Sequence, residues 1–147
     1  MPVVAFDRFY QYADLTALLQ AFAAEYGVTG VSFDEFEKLA DGFAEAYAKW
    51  PTGSYLLWYP VKSRRITDGL ARHVAAVAET GKPAGKCLRL EFSVAPQQAG
   101  GPLTSTGLLI VNPPWTLAGE LKTILPELEK PLGQGGAGRF RLEVPKP

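Results

Sequence analysis

The stretch CLRLEFSVAPQQAGGPLTSTGLLIVNPPW, residues 87–115, gives the clearest indication of the fold. Apolar and polar residues alternate from 87 to 95, which is typical of a strand with one buried face. Residues 96–106 are rich in glycine, proline, glutamine, serine and threonine and are predicted to form a loop. A wholly apolar strand follows at 107–111. Because the loop is too short to hold a helix, the two strands are expected to pair in the antiparallel sense.

The alternation also assigns the side chains of the first strand to two faces. One face holds Leu88, Leu90, Phe92 and Val94, and the other holds Cys87, Arg89, Glu91 and Ser93. One-sided burial is typical of an antiparallel or edge strand, so the polar set is expected to face away from the core.

Periodicity and capping signals predict the remaining elements outward from this pair. Ser32 and Glu35 form a capping-box pattern before an apolar stripe that ends at Trp50. Pro126 lies inside the last helical pattern and predicts a kink or a break near Leu125. The predicted elements are strands at 2–6, 54–59 and 139–144 and helices at 14–26, 34–50, 68–81 and 117–128. Strands separated by helices indicate a layered α/β fold, with parallel strands that end in an antiparallel hairpin.

Composition limits the classes of function. The 147 residues suit one domain, and a hydrophobic fraction of 47% is enough to form a core. A freestanding RNA-binding protein usually carries a basic surplus, whereas 15 basic residues balance 15 acidic ones here. Cys87 is the one cysteine and His73 is the one histidine, which is too few for a cysteine- or histidine-rich zinc site, so no metal site is expected. A catalytic triad is likewise not expected, because His73 is the one histidine that could act as its base. A signal-peptide pattern and a bilayer-spanning apolar run are both missing, which favours a cytoplasmic protein.

The strand at 107–111 ends in a candidate catalytic segment, Asn112-Pro113-Pro114-Trp115. A hydrophobic strand that ends in Asn/Asp-Pro-Pro-aromatic is the form of the catalytic motif of amino-group methyltransferases. In this hypothesis Asn112 and a proline carbonyl accept hydrogen bonds from an exocyclic amine, and Trp115 stacks on the base. The prolines remove N–H donors, so the carbonyls can turn into the cleft. The alternative is a strand end punctuated by prolines, with Trp115 packed on the core.

A second group of candidate residues follows the strand at 54–59. Ligands bind outside the carboxyl ends of strands in doubly wound sheets, so Trp58 and Tyr59 are predicted to line a base or cofactor cleft. Arg64 and Arg65 follow directly, and with Lys62 they are predicted to contact phosphates. Aromatic packing and a solvated helix start are the alternatives.

Several ordered segments resemble one family. They are the helix at 34–50, the run GSYLLWYPV at 53–61, the strand LRLEF at 88–92 and the stretch LTSTGLLIVNPPW at 103–115. Together they resemble the RlmJ family, bacterial methyltransferases that use S-adenosyl-L-methionine (SAM) to modify an adenine amino group in large-subunit (23S) rRNA. The resemblance covers about residues 32–145. It implies that residues 31–147 form the C-terminal part of a methyltransferase-type Rossmann sheet, with SAM as the cofactor and rRNA as the partner of the family.

The resemblance also changes the interpretation of Asn112–Trp115. In the family, the catalytic Asp-Pro-Pro-aromatic motif ends an earlier strand, before the helix that corresponds to 34–50, and the Asn-Pro-Pro-Trp segment is a separate feature. The resemblance therefore implies that Asn112–Trp115 is not the catalytic motif. Residues 28–33 read VTGVSF here and contain no Asp-Pro-Pro. The family's Asp-x-x-x-Gly-x-Gly loop, which holds the amino-acid part of SAM, is also missing. Residues 1–30 do not match the family and are expected to be an unrelated segment of a truncated or frame-altered product, or of a partial gene model.

The sequence supports three functional hypotheses. The first is a truncated rRNA (adenine-N6)-methyltransferase that, as a lone chain, binds SAM weakly or not at all and has no turnover. The second is a non-enzymatic binding or scaffold module, whose open sheet edge pairs with a second copy in a homo-oligomer or with another chain. The third is a compact active methyltransferase, in which residues 1–30 rebuild a cofactor site and Asn112 accepts the amine.

Overall fold

A four-stranded sheet forms the centre of the part of the chain that the structure describes, residues 33–98 and 100–146 of a computed structural model. In chain order the elements are α1 (Phe33–Lys49), β1 (Tyr55–Pro60), α2 (Arg64–Glu79), β2 (Cys87–Ser93), β3 (Ser105–Val111), α3 (Leu117–Leu132), a 3-10 turn (Gln134–Gly136) and β4 (Arg139–Glu143). The predicted elements from 34 onward are therefore confirmed to within a few residues. The strand predicted at 2–6 and the helix predicted at 14–26 lie outside the described residues.

The strand order is β1-β3-β2-β4, and each neighbouring pair is antiparallel. The antiparallel pairing of β2 with β3 is confirmed, with Cys87 opposite Val111. Parallel neighbours, which were expected, are not found among the described strands. β1 and β2 do run in the same direction, since each is antiparallel to β3, but β3 lies between them and pairs with both. The α/β class is confirmed, and this part of the sheet is antiparallel.

One face of the sheet is covered by α1 and α2. The largest buried residues of this core are Phe43, Tyr47, Leu57, Tyr59, Leu70, Val74, Leu109 and Val111. Burying each such apolar side chain is worth about 1.5–3 kcal/mol, so this layer contributes substantially to the stability of the fold. The hydroxyl of Tyr47 also donates a hydrogen bond to the carbonyl oxygen of Ala78 at 2.9 Å, which fixes α1 against the end of α2.

The other face carries α3 over one part and an exposed strip over another. Leu88 and Ile110 alternate away from the first core and are buried on this side, as is Leu125 of α3. Leu56 and Trp58 of β1 point to the same side but are 67% and 55% exposed. β1 is also terminal in the strand order, so its second edge has no partner strand among the described residues.

Both faces of β2 are buried, which corrects the expectation that its polar set faces away from the core. Arg89 is 6% exposed and Glu91 is 2% exposed. The alternation correctly assigned the apolar and the polar side chains of β2 to opposite faces. However, β2 lies between β3 and β4 in the sheet, and α2 packs over its polar face. Buried charges of this kind need partners within the protein.

Of the kink or break predicted near Leu125, the break is not found, because α3 continues from Leu117 to Leu132 through Pro126, and the kink stays a prediction. A proline removes one backbone donor and leaves the carbonyl four residues earlier without its helical partner. Pro126 and Lys122 are both exposed, so solvent can satisfy that carbonyl and the helix can continue.

Candidate functional site

The two groups of predicted site residues lie at opposite ends of the sheet. Because β1 and β3 are antiparallel, the carboxyl end of β3 lies beside the amino end of β1. Asn112 follows the first of these ends, whereas Arg64 and Arg65 follow the carboxyl end of β1. Trp58 is opposite Leu108, four residues before Asn112, which corresponds to about 13 Å along the strand. The structure does not bring the two groups into one cleft.

Asn112 makes hydrogen bonds that connect three loops at its end of the sheet. Its Nδ2 donates hydrogen bonds to the carbonyl oxygens of Pro51 at 3.0 Å and Gly53 at 2.9 Å. Its Oδ1 accepts the N–H of Lys86 at 3.3 Å, and its own N–H donates to the Lys86 carbonyl at 2.7 Å. The hydroxyl of Ser54 donates to the Asn112 carbonyl oxygen at 2.8 Å. The protein's own backbone therefore uses both ends of the carboxamide.

The backbone conformation also favours asparagine at position 112. Its φ of 52° lies in the left-handed region, which asparagine adopts more readily than most residues with a side chain. An aspartate would lack the two N–H donors that reach Pro51 and Gly53. That Asn112 accepts a substrate amine stays a prediction: its Oδ1 accepts one hydrogen bond, from the Lys86 N–H at 3.3 Å, and a carboxamide oxygen has a second lone pair.

The rest of the Asn-Pro-Pro-Trp segment faces solvent. Trp115 is 94% exposed, so the alternative in which its ring packs on the core is wrong. Pro113 is partly buried and Pro114 is exposed. The carbonyl oxygen of Pro114 accepts the N–H of Leu117 at 3.0 Å, in the turn that leads into α3. The exposed indole is thus carried by a hydrogen-bonded turn.

The two aromatic residues near the end of β1 point to opposite faces. Trp58 is 55% exposed, on the face away from α1 and α2, whereas Tyr59 is fully buried beneath α2. Trp58 can therefore contact a ligand directly. For Tyr59, the prediction of substrate contact requires that the core around its ring opens.

A buried ionic cluster surrounds Tyr59 and joins β1, β2 and α2. The Tyr59 hydroxyl donates to Glu91 Oε1 at 2.9 Å and accepts the Nε–H of Arg89 at 3.0 Å. Arg89 Nη2 also binds Glu91 Oε1 at 2.6 Å and Asp68 Oδ1 at 2.7 Å. Arg64 Nη1 binds Glu91 Oε2 at 3.0 Å. Every buried side-chain nitrogen and oxygen among the described residues has a hydrogen-bond partner, so the cluster is internally satisfied.

The cluster shifts the pKa values of its members. Burial alone would raise the pKa of Glu91, but hydrogen bonds from Tyr59 and Arg89, together with the charge of Arg89, hold it below its ordinary value. A hydrogen bond from Arg89 likewise lowers the pKa of Asp68. Burial raises the pKa of Tyr59. Because both carboxyl pKa values are depressed by folding, these groups stabilise the fold above their unfolded pKa values, and the contribution is lost as pH falls through the folded values.

Sequence reasoning missed this cluster because it assigned Arg89 and Glu91 to the face away from the core. One feature of the sequence indicated the cluster: Arg89 and Glu91 are two residues apart, so these opposite charges lie on the same face of the strand. The chain also contains enough predicted helices to cover both faces of the sheet. The cluster has a positional consequence: Arg64, one of the predicted phosphate ligands, is oriented by Glu91.

The amino end of α2 is positively charged. Its N-cap residue, Ser63, makes no side-chain cap hydrogen bond, and the first turn contains no acidic residue. Lys62, Arg64 and Arg65 surround this end and are exposed. The unpaired N–H groups and the helix dipole favour an anion here, and the three cations add to that preference.

A groove of about 480 Å³ lies between the first halves of α1 and α2. Its walls include Phe36, Glu37, Asp41, Arg65, Leu70 and His73. This volume falls within the range of small-ligand pockets, and the walls combine apolar surface with charges of both signs. Arg65 and His73, both on α2, line this groove.

Residues 33–98 and 100–146 offer neither a cluster of metal-ligating side chains nor a reactive thiolate. That part of the chain contains no group of three or more histidine, cysteine, aspartate or glutamate side chains that could hold a metal ion. Burial raises the pKa of Cys87 to about 11, so its thiol stays protonated at neutral pH. None of the described helices has the length and apolar character needed to cross a membrane.

Comparison with known proteins gives matches to one family. The model of the family described as "Ribosomal RNA large subunit methyltransferase D, RlmJ" matches residues 31–144. Ribosomal RNA large subunit methyltransferase J of Haemophilus influenzae is 34% identical over 110 residues, which cover 75% of this chain and 37% of the relative. The protein of the same name from Escherichia coli is 33% identical over 104 residues, which cover 71% of this chain and 35% of the relative.

A solved structure extends the similarity to three dimensions. The crystal structure of protein LPL1258 from Legionella pneumophila superposes with a TM-score of 0.66 at 27% sequence identity. The superposition covers 78% of this chain and 40% of that protein. The chain thus spans little more than a third of the length of the curated relatives it matches, and the matched part begins just before α1.

Proposed function

Because the chain belongs to the RlmJ family of ribosomal RNA large subunit methyltransferases, we propose that it contributes the C-terminal part of a domain that methylates an adenine amino group of large-subunit rRNA, with SAM as the methyl donor. The observation that carries this proposal is the family match over residues 31–144, which includes every described helix and strand. The rest of the catalytic domain would come from sequence outside the match.

The open edge of the sheet supports the proposal that the described strands form one part of a larger domain. β1 is terminal in the strand order and exposes Leu56 and Trp58 beside its second edge. A sheet edge with exposed apolar side chains is a site where a further strand can pair. A strand that comes before α1 and runs parallel to β1 would make a connection of the β-α-β kind. The described strands would then be the antiparallel end of a methyltransferase-type Rossmann sheet.

The amino end of α2 would contact the RNA backbone. Lys62 and Arg65 are exposed there, and Glu91 orients the guanidinium of Arg64. Phosphate contacts of this kind position a nucleic acid without reading its sequence. Trp58, on the exposed face of β1 near the same end, offers a ring on which a base could stack.

The described residues do not fit SAM by themselves. The connection from β1 to α2, residues 61–63, contains no glycine that would let the backbone approach a cofactor closely. The groove between α1 and α2 is lined only by residues of these two helices, whereas cofactors in doubly wound sheets bind against the carboxyl ends of the strands. We therefore derive no catalytic step through SAM from this part of the chain.

Isothermal titration of the chain with SAM is expected to show no binding in the micromolar range. A chimera tests the function itself: residues 31–144 replace the matched segment of the Haemophilus influenzae methyltransferase. This chimera is expected to bind SAM and to transfer a radiolabelled methyl group to protein-free rRNA. Arg65→Ala in the chimera should raise the KM for rRNA by about tenfold, since one phosphate contact is lost.

Two results would count against this proposal. Micromolar binding of SAM by the chain alone would favour the compact active enzyme, in which Asn112 accepts the amine, and Asn112→Ala should then abolish methylation. A folded chimera that binds SAM but transfers no methyl group would show that these residues do not support the family reaction.

A second candidate function, self-association, is favoured by the exposed apolar strip of β1. Pairing of β1 with its counterpart in a second copy would cover Leu56 and Trp58 and complete the sheet edge. Size-exclusion chromatography with light scattering at about 100 μM is the test. The wild type is expected to be a dimer. Leu56→Lys/Trp58→Lys should raise the dissociation constant of this dimer by at least about tenfold, because both charges would have to be buried. Lys122→Glu on α3 is the matched control, and a wild-type monomer would exclude self-association.

A further inference from the structure

Three loops meet at the end of the sheet that lies opposite the amino end of α2. They are residues 50–54, 80–86 and 112–116, which together with Lys49 and Glu79, the last residues of α1 and α2, are here called the Asn112 end. The hydrogen bonds of Asn112 to Pro51, Gly53 and Lys86 join all three. This end therefore forms one continuous surface.

The Asn112 end is closely packed beneath its surface. The N–H of Gly85 donates to the carbonyl oxygen of Ala78 at 2.8 Å. A Cβ added at Gly85 would overlap the hydroxyl of Tyr47 and would lie 2.9 Å from Asn112 Oδ1, so a side chain has no room there. The loops are thus held in one arrangement, which lowers the entropic cost of binding a ligand.

Two tryptophans are exposed on this surface. Trp115 is 94% exposed and Trp50 is 62% exposed. The Trp50 ring lies across Gly53, where an added Cβ would be 2.6 Å from Cε3, and its centroid is 6.4 Å from that of Tyr55. One ring is thereby backed by the protein, and the other projects from the turn before α3. Single-stranded nucleic acids stack their bases on exposed aromatic rings of this kind.

The charge of the same surface is positive. The Asn112 end carries three exposed lysines, Lys49, Lys82 and Lys86, against one exposed carboxylate, Glu79. The whole chain has no net charge, so this is a local excess. An uneven distribution of cations beside aromatic rings matches the charge and the stacking surfaces of a nucleic-acid strand.

We propose that the Asn112 end binds single-stranded RNA, with Trp115 and Trp50 as stacking platforms and Lys82 and Lys86 as phosphate contacts. The choice of RNA rests on the proposed function. The surface itself is a second contact, because the six residues of β1 separate it from Arg65 by about 20 Å. In this arrangement Asn112 is a positioning residue, which holds the loops that carry the rings and cations.

Fluorescence anisotropy with a labelled 12-nucleotide oligo(A) tests the proposal on the full chain at several salt concentrations. Trp115→Ala is expected to weaken binding about tenfold, since one base–aromatic stack is lost. Its exposure means that folding should be unaffected. Lys82→Ala/Lys86→Ala should reduce the slope of log K against log salt by about 1.4, the value for two phosphates on a single strand.

Control variants separate this surface from the amino end of α2. Lys122→Glu, exposed on α3, should bind the oligonucleotide like the wild type. If Arg65→Ala abolishes binding while the Trp115 and lysine variants bind normally, RNA is held at α2 alone, and the inference is overturned with the proposed function intact. No binding by the wild type overturns it as well. A change of oligomeric state on Trp115→Ala would identify a protein interface instead, whereas the chimera assay independently decides the proposed function.

Discussion

Replacing Gly107 by valine is expected to lower the free energy of unfolding by about 3–5 kcal/mol, or to prevent folding altogether. The position lies in β3, directly beneath the ring of Tyr59. An added Cβ would overlap Cζ of that ring and would lie 2.5 Å from both Cε2 and the hydroxyl oxygen. The ring cannot retreat, because Tyr59 is fully buried and its hydroxyl is held by Glu91 and Arg89. Urea unfolding followed by far-UV circular dichroism measures the loss.

Two further variants assign this loss to the contact with Tyr59. Gly69→Ala in α2 meets no atom within 4 Å and should stabilise the protein by about 0.5–1 kcal/mol, since alanine favours the helix. Gly107→Ala should cost much less in a Tyr59→Leu background than in the wild type, because the shorter side chain leaves space. A cost below about 1 kcal/mol for Gly107→Val would contradict the packing of this core.

Removal of the buried guanidinium by Arg89→Met is expected to cost about 3–5 kcal/mol at neutral pH. Glu91 would remain buried without its principal partner, and Asp68 would lose the Nη2 bond of 2.7 Å. The double variant Arg89→Met/Glu91→Leu should recover part of this loss, since it leaves no unpaired charge on the face of β2, whereas the buried hydroxyl of Tyr59 loses both its partners. Arg141→Met is the matched control: Arg141 is an exposed arginine that also approaches Asp68, at 3.8 Å, and its loss should cost less than about 1 kcal/mol.

The pH dependence gives an independent check on the same cluster. In the wild type, the pKa of Glu91 is held low by Tyr59 and Arg89, so its contribution to stability is lost as pH falls through that value. Without Arg89, burial should raise the pKa of Glu91, and protonation should then relieve the unpaired charge. The stability difference between wild type and Arg89→Met is therefore expected to shrink from pH 7 to pH 4. A constant difference would show that the loss comes from packing.

The sequence predicted the local elements well, because their signals are local. The apolar stripe after the capping box gave α1, and the alternating run gave β2, each within a few residues of its bounds. Proline was a weaker guide inside α3: a missing hydrogen bond on an exposed helix face can be replaced by solvent, so the helix passes through Pro126.

The candidate site was harder to derive, since its residues are separated in sequence and sorted only by strand pairing. Trp58 and Tyr59 are neighbouring aromatic residues that the sequence does not distinguish, yet Trp58 is half exposed and Tyr59 is fully buried. Asn112 was chosen for its place in a motif. Its contacts within the protein depend on Pro51, Gly53 and Lys86, which the sequence gives no reason to connect.

The sequence by itself determined the α/β class, the antiparallel pairing of β2 with β3 and membership of the family, because each rests on short-range patterns or ordered segments. Only the tertiary structure decided that β3 lies between β1 and β2, that α2 covers Arg89 and Glu91, and that Asn112 lies at the opposite end of the sheet from Arg65. Strand order is set by contacts between distant residues, and burial is set by what packs over a face. Neither is recorded in the alternation of apolar and polar side chains, which reports only that a strand has two faces.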